Sequence, residues 1–154
     1  MTVFFEISKL LIAATVSSLA FSVFFYSNFK RCIPSMLGGL LAGGIYILMI
    51  RLTKQEFLSN LAAALIATAY CEICARMTRA PAIIYIIPTI IPLVPGGALY
   101  YTINALVSAH YGDALVFGKQ TVEIALGISC GLIVTSLADS AIRKLKAKRS
   151  ASPL

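Results

Sequence analysis

The sequence predicts an all-α, polytopic transmembrane bundle of about five spans, one of them broken by proline and glycine. Three observations predict it. The 154-residue chain is 59% hydrophobic and only 12% charged, far too little charge to cover a soluble surface. Its apolar residues fall into blocks near the roughly 20 residues that cross a bilayer, separated by short charged knots. One of those blocks is interrupted by three prolines and two glycines between Pro88 and Gly97. A mean hydropathy of +0.89 leaves little chain for a soluble domain. A single membrane domain over residues 1–142 is therefore expected, followed by a basic tail over 143–154.

The spans are expected in order. The first runs from about Ile7 to Tyr26, and the knot Ser27–Cys32 follows it. No basic leader precedes this span and no small-x-small cleavage site follows, so it reads as a retained helix rather than a removable signal. The second covers Pro34 to Ile50 and ends at the knot Arg51–Glu56. The third covers Phe57 to Ala75 and is closed by Arg76–Arg79. The fourth is the long apolar stretch from Ala80 to Ala109, which carries the prolines. The fifth runs from Leu115 to Ile142.

The net charge of +7 does not mark a nucleic-acid surface, because five of the cations lie together in the tail: Arg143, Lys144, Lys146, Lys148 and Arg149. A basic cluster just past an apolar helix is a topology and lipid-headgroup signal. With five crossings and an outside N-terminus, Lys30, Arg31, Arg76, Arg79 and the tail lie inside, while Lys9, Arg51, Lys54 and Lys119 lie outside. That excess of inside cations favours an outside N-terminus and a cytoplasmic C-terminus. If the proline-rich stretch were instead a re-entrant hairpin, the tail and the Lys30-Arg31 knot would fall on opposite sides. A broken but complete span is the favoured arrangement.

The helices carry small-residue faces. Gly39 and Gly43 are four apart, as are Gly127 and Gly131, and Ala13, Ala14, Ser17 and Ser18 form a similar face on the first span. In lipid, close backbone approach and dispersion drive helix pairing. Packing within the bundle is the plainer reading of these faces, and contact of one glycine face with a partner chain is the sharper one. Cys71 and Cys74 have redox-motif spacing but lie on an apolar helix, where small buried thiols are the favoured reading.

Chemistry concentrates at Ile87–Gly97. Each proline removes a backbone donor and clashes with the preceding turn, and Gly96 and Gly97 loosen the chain where it must bend. A new helix can start at Pro95 or Gly96, with its free amides and positive dipole end directed into the bundle. Transporters use such half-helix ends to hold a substrate carboxylate or a coupling ion. Behind the break, Gly97, Tyr100, Asn104 and Ser108 recur at helical spacing as one small and polar stripe, with Tyr101 beside it. Pro92, Pro95, Gly96, Gly97, Tyr100, Asn104 and Ser108 are thus the candidate substrate-binding residues, weighed against a structural kink. The i,i+4 pairs Glu72/Arg76, Lys119/Glu123 and Asp139/Arg143 read as local neutralisation near helix ends. Glu123 is the exception kept as a proton-coupling candidate, because Lys119 can snorkel away from it. The lone His110 reads as a solvated loop residue. No nucleophile motif, metal-ligand cluster or phosphate-binding glycine loop is present, so neither enzyme activity, metal nor cofactor is expected.

At Pro92-Leu-Val-Pro95-Gly96-Gly-Ala-Leu-Tyr100 the sequence resembles the threonine/serine exporter (ThrE) family, and more closely its short, YjjB-type subunit, over nearly the whole chain in length and helix order. The resemblance implies a multi-pass protein of a prokaryotic inner membrane. It also implies export of threonine, serine or small dicarboxylates such as succinate, and a larger membrane subunit carrying the complementary half. The expected partners are that subunit, an anionic or zwitterionic small molecule and membrane lipid, with a homo-oligomer possible and nucleic acid excluded. A non-transporting scaffold and a homo-oligomeric channel are the rival readings.

Overall fold

The computed structural model describes residues 2–25 and 29–150. Among the described residues six helices form: α1 (Thr2–Phe25), α2 (Phe29–Thr53), α3 (Glu56–Thr78), α4 (Ile83–Ile90), α5 (Gly96–Val107) and α6 (Tyr111–Ser150). A single 3-10 turn, Ile91–Leu93, joins α4 to α5. Four helices are each long and apolar enough to cross a membrane, and α4 with its 3-10 turn and α5 make a fifth passage bent by 48°.

The charged knots are also where the helices stop. Lys54 (φ 53°) and Arg79 (φ 50°) take left-handed backbone after α2 and α3, and their N–H groups close back onto Ile50 O at 3.0 Å and onto Ala75 O. Ala109 (φ 56°) plays the same part between α5 and α6. Two boundaries differ from the sequence expectation. The second helix begins at Phe29 and carries Pro34 within it. The last helix runs from Tyr111 through the basic segment to Ser150, since alanine, lysine and arginine sustain helix after the apolar run ends.

α3 is the central helix. It packs against α2, α4 and α6, while α1 packs against α2. Its inner face is small: Ala63, Ala64 and Ala67 are fully buried with Ala42, Ile90, Leu93, Ile124 and Ile128. Small residues let backbones approach, which is how helices associate when lipid is as apolar as the core. The glycines show it directly. A Cβ at Gly39 would strike Ser18 of α1, and one at Gly43 would stand 3.1 Å from Ala14 Cβ. On α6, a Cβ at Gly127 would come 2.6 Å from Phe57 O, and one at Gly131 would come 2.7 Å from Ala64 Cβ. Both glycine faces are therefore used inside the chain's own bundle. The sharper expectation, that one of them meets a partner, is corrected: each faces a neighbouring helix too closely to admit a side chain.

Two contacts fix the direction of the passages. Gln120 Nε2 of α6 donates to Glu56 Oε1 of α3 at 3.0 Å, and twenty residues along α3 Arg76 pairs with Asp139 of α6. The register advances the same way on both helices, so α3 and α6 run parallel. α5 and α6 form an antiparallel hairpin, with Tyr101 against Phe117 and Thr102 against Gly118. The chain must therefore recross between the end of α3 and the start of α6. At helical rises, α4, the 3-10 turn and α5 cover about 36 Å along their path, enough for a hydrocarbon core of about 30 Å. The proline-rich stretch is a broken full passage, and the bundle has five.

Candidate functional site

The break forms as its prolines dictate. Pro88 lies inside α4, Pro92 sits in the 3-10 turn, and Pro95 caps α5 without a helical ψ (48°). α4 fills the interior: Tyr85, Pro88 and Thr89 are fully buried, and Ile90 and Leu93 complete the core. Hydroxyls anchor it. Thr89 Oγ1 donates to Ser35 O at 3.4 Å and accepts from Cys71 Sγ at 3.4 Å, and Ser18 Oγ donates to the same carbonyl at 2.6 Å. None of the four cysteines is in a disulfide, and Cys71 is fully buried.

With the interior full, α5 turns outward. It packs chiefly against α6, and Ala105 is its only buried residue. Gly96 N–H turns back to Val94 O at 2.7 Å and Leu99 N–H closes onto Pro95 O at 2.9 Å, which leaves the amides of Gly97 and Ala98 as the open donors of the new helix. A Cβ at Gly96 or Gly97 would meet nothing within 4 Å. The expectation that this helix start points into the bundle is corrected: it opens on the bundle's flank, because α4 occupies the interior and the 48° bend carries α5 aside.

The structure places the candidate residues as follows. Pro92 and Pro95 are half-buried at the bend. Gly96, Gly97, Tyr100, Asn104 and Ser108 are all exposed on α5 or at its end. Gly97, Tyr100 and Asn104 share one flank, with Tyr100 64% exposed, and Ser108 N–H caps the helix on Asn104 O at 3.0 Å. Tyr101 departs from the stripe, since its ring packs on Phe117 of α6 with centroids 5.4 Å apart. His110 is exposed in the α5–α6 turn.

Glu123 forms the expected pair with Lys119, Nζ to Oε1 at 3.7 Å. Arg76 takes a partner on another helix. Arg76, four residues from Glu72, reaches across to Asp139 of α6. The Asp139/Arg143 pairing falls on a side chain, Arg143, outside the described residues. Glu56, which the sequence reading passed over as part of a knot, joins three helices: it accepts from Tyr46 Oη of α2 at 3.1 Å and from Gln120 Nε2 of α6 at 3.0 Å. Its signal was an acidic residue at the first position of a helix beside an intramembrane tyrosine, but the partners lie 10 and 64 residues away. Among the described residues no group of three or more His, Cys, Asp and Glu is placed to hold a metal ion.

Neither a curated protein nor a solved structure matches the chain. Residues 10–138 match the family described as Threonine/Serine exporter, ThrE. The match begins in α1, contains the whole broken passage and ends in the second half of α6, so it takes in all five passages. It agrees with the resemblance carried by Pro92, Pro95, Gly96 and Tyr100, and with a bundle of helices long and apolar enough to cross a membrane. The chain belongs to the threonine/serine exporter (ThrE) family.

Proposed function

We propose that the chain is the short, YjjB-type subunit of a two-component secondary exporter in a prokaryotic inner membrane. It carries one half of the transport unit, and a larger membrane subunit supplies the complementary half. The family match over residues 10–138 carries this reading. The flank of α5 supports it, because the open amides of Gly97 and Ala98 and the stripe Gly97, Tyr100, Asn104 face away from the chain's own bundle. Non-helical backbone at membrane depth is stable against protein or a wet cavity, not against lipid. A partner closing over this flank would make that cavity.

The cargo is a small polar metabolite, of the threonine and serine type or a small dicarboxylate such as succinate. Its anionic group would meet the α5 amides and the positive end of the helix dipole. Export would draw on the proton gradient, with Glu123 as the group that takes and releases the proton. The N-terminus lies outside and the C-terminal segment in the cytoplasm, following the distribution of Lys and Arg. Purification in mild detergent tests the central element. A larger multi-pass protein should accompany the tagged chain in fixed ratio and be lost when Tyr100 and Asn104 are both changed to Lys. Isolation of a homogeneous oligomer of this chain alone, active in export, would replace the two-component reading by a channel or a self-sufficient carrier.

A further inference from the structure

Glu56 differs from the carboxylates that stand in ion pairs. Asp139 is paired with Arg76 and Glu123 with Lys119, whereas no lysine or arginine of the described residues pairs with Glu56. Its two oxygens take one neutral donor each, from two different helices. Tyr46 Oη of α2 donates to Oε2 at 3.1 Å, and Gln120 Nε2 of α6 donates to Oε1 at 3.0 Å. The carboxylate is half-buried where α2, α3 and α6 meet. We infer that Glu56 is a second proton-carrying carboxylate of the transport cycle, acting with Glu123 on the seam between α3 and α6. The inference rests on the proton-driven exporter reading and adds a group to it.

The two partners suit a group that changes its charge. A phenol hydroxyl both donates and accepts, whereas a lysine or arginine partner has no acceptor to offer. With Glu56 ionised, Tyr46 and Gln120 both donate to it, as the structure shows. When a proton adds to Oε2, that oxygen becomes the donor and the Tyr46 hydroxyl turns to accept, while Gln120 keeps its bond to Oε1. Both states are satisfied without a side chain leaving its place. Only an O–H bond forms and breaks: the proton comes from water, neutralises the carboxylate and returns to water. Nor does packing require a carboxylate here, since Gly127 of α6 already closes the seam against Phe57 and Asn60.

The surroundings leave the titration to these groups. α3 packs against α2, α4 and α6. Toward Glu56, α2 presents Tyr46, with Arg51 and Lys54 exposed at its end. α6 presents the Lys119–Glu123 pair, with Tyr111 and Asp113 exposed at its start. The one titratable group of α4, Tyr85, donates to Thr78 at the other end of α3. Gln120 and Glu123 are three residues apart and share a face of α6, so the contact with Gln120 brings both carboxylates to one stretch of the seam. A proton shifts a conformational equilibrium only by binding its states differently. A carboxylate shared by three helices does so whenever those helices move, and α6 carries the α5 flank with it.

The test uses sealed membrane vesicles from cells that make the full chain and its native partners. Labelled L-threonine serves as the probe for two rates: efflux driven by an imposed pH gradient, and exchange against unlabelled L-threonine without one. Glu56→Gln keeps the size of the side chain and both neutral partners. It should lower driven efflux several-fold and leave exchange unchanged. Asp113→Asn, which removes an exposed carboxylate at the start of α6, should alter neither rate. Infrared difference spectra of the chain purified with its partners read the proton directly. On acidification the carbonyl band of a protonated carboxylic acid should appear, and Glu56→Gln should remove one component of it. In Tyr46→Phe that component should titrate about one pH unit higher, because the ionised form loses a donor. Driven efflux as fast in Glu56→Gln as in the unsubstituted protein refutes the inference alone. A band unchanged by Glu56→Gln refutes it equally, even where that variant has lost both rates. Absence of any gradient-driven efflux from the unsubstituted protein refutes the proton-driven reading, and the inference with it.

Discussion

Gly127 and Gly96 show how one residue type serves two ends. A Cβ at Gly127 would press on the carbonyl of Phe57 at 2.6 Å, while one at Gly96 would meet open space. Gly127→Leu is expected to destabilise the chain itself, by about 1–3 kcal/mol or more through overpacking, read as a lower melting temperature in detergent. Gly96→Leu should leave that temperature unchanged and abolish export, by filling the space over the α5 amides. Equal thermal loss in both would mean that the α5 start is packed in the assembled protein and is not a cavity. Glu56 makes a second residue-scale case. Removing its carboxylate with Glu56→Ala strands Tyr46 and Gln120 and should cost about 1–3 kcal/mol, again visible as thermal stability. Glu123 differs because its partner Lys119 is an exposed neighbour on the same helix. Glu123→Gln should uncouple export from the pH gradient and spare substrate exchange; unchanged coupling would remove Glu123 from the proton path.

At the scale of elements, the passages and their one break were legible, and the faces they present were not. Proline and glycine act locally, so Pro88, Pro92, Pro95 and Gly96 announced the bend and the restart of the helix at Gly96. The charged knots announced the ends of α2 and α3 for the same reason. Which way α5 faces depends on what fills the interior, and that is settled by α4 hydroxyls and by Ser35, 54 residues from Thr89. Arg76 had a helical neighbour at Glu72, yet it takes Asp139, 63 residues away, because sequence spacing cannot register a second helix alongside. The glycine faces were ambiguous in principle, since contacts inside a bundle and between chains in lipid use the same small residues. The parallel run of α3 and α6 makes a further demand on topology. Reporter fusions should place the N-terminus outside and the C-terminus in the cytoplasm, and both ends on one side would contradict five passages. Within α5, single cysteines at positions 97, 100 and 104 should react with a water-soluble reagent and be shielded by substrate. Labelling confined to position 103 would make the break a structural kink.

For the whole molecule, the proposed reading is one half of an exporter. The interior is closed by small residues and hydroxyls, while the stripe Gly97, Tyr100 and Asn104 is exposed on the flank of α5. α6 extends apolar sequence over Tyr111–Ile142, about 48 Å at helical rise, beyond the roughly 30 Å of a hydrocarbon core. Tilt or contact with another protein must accommodate the excess. The most direct measurement is efflux of labelled L-threonine from sealed vesicles carrying this chain alone, the complementary subunit alone, or both, under an imposed proton gradient. Efflux above the empty-vesicle rate only when both are present is the predicted result; full-rate efflux from vesicles with this chain alone would contradict the account.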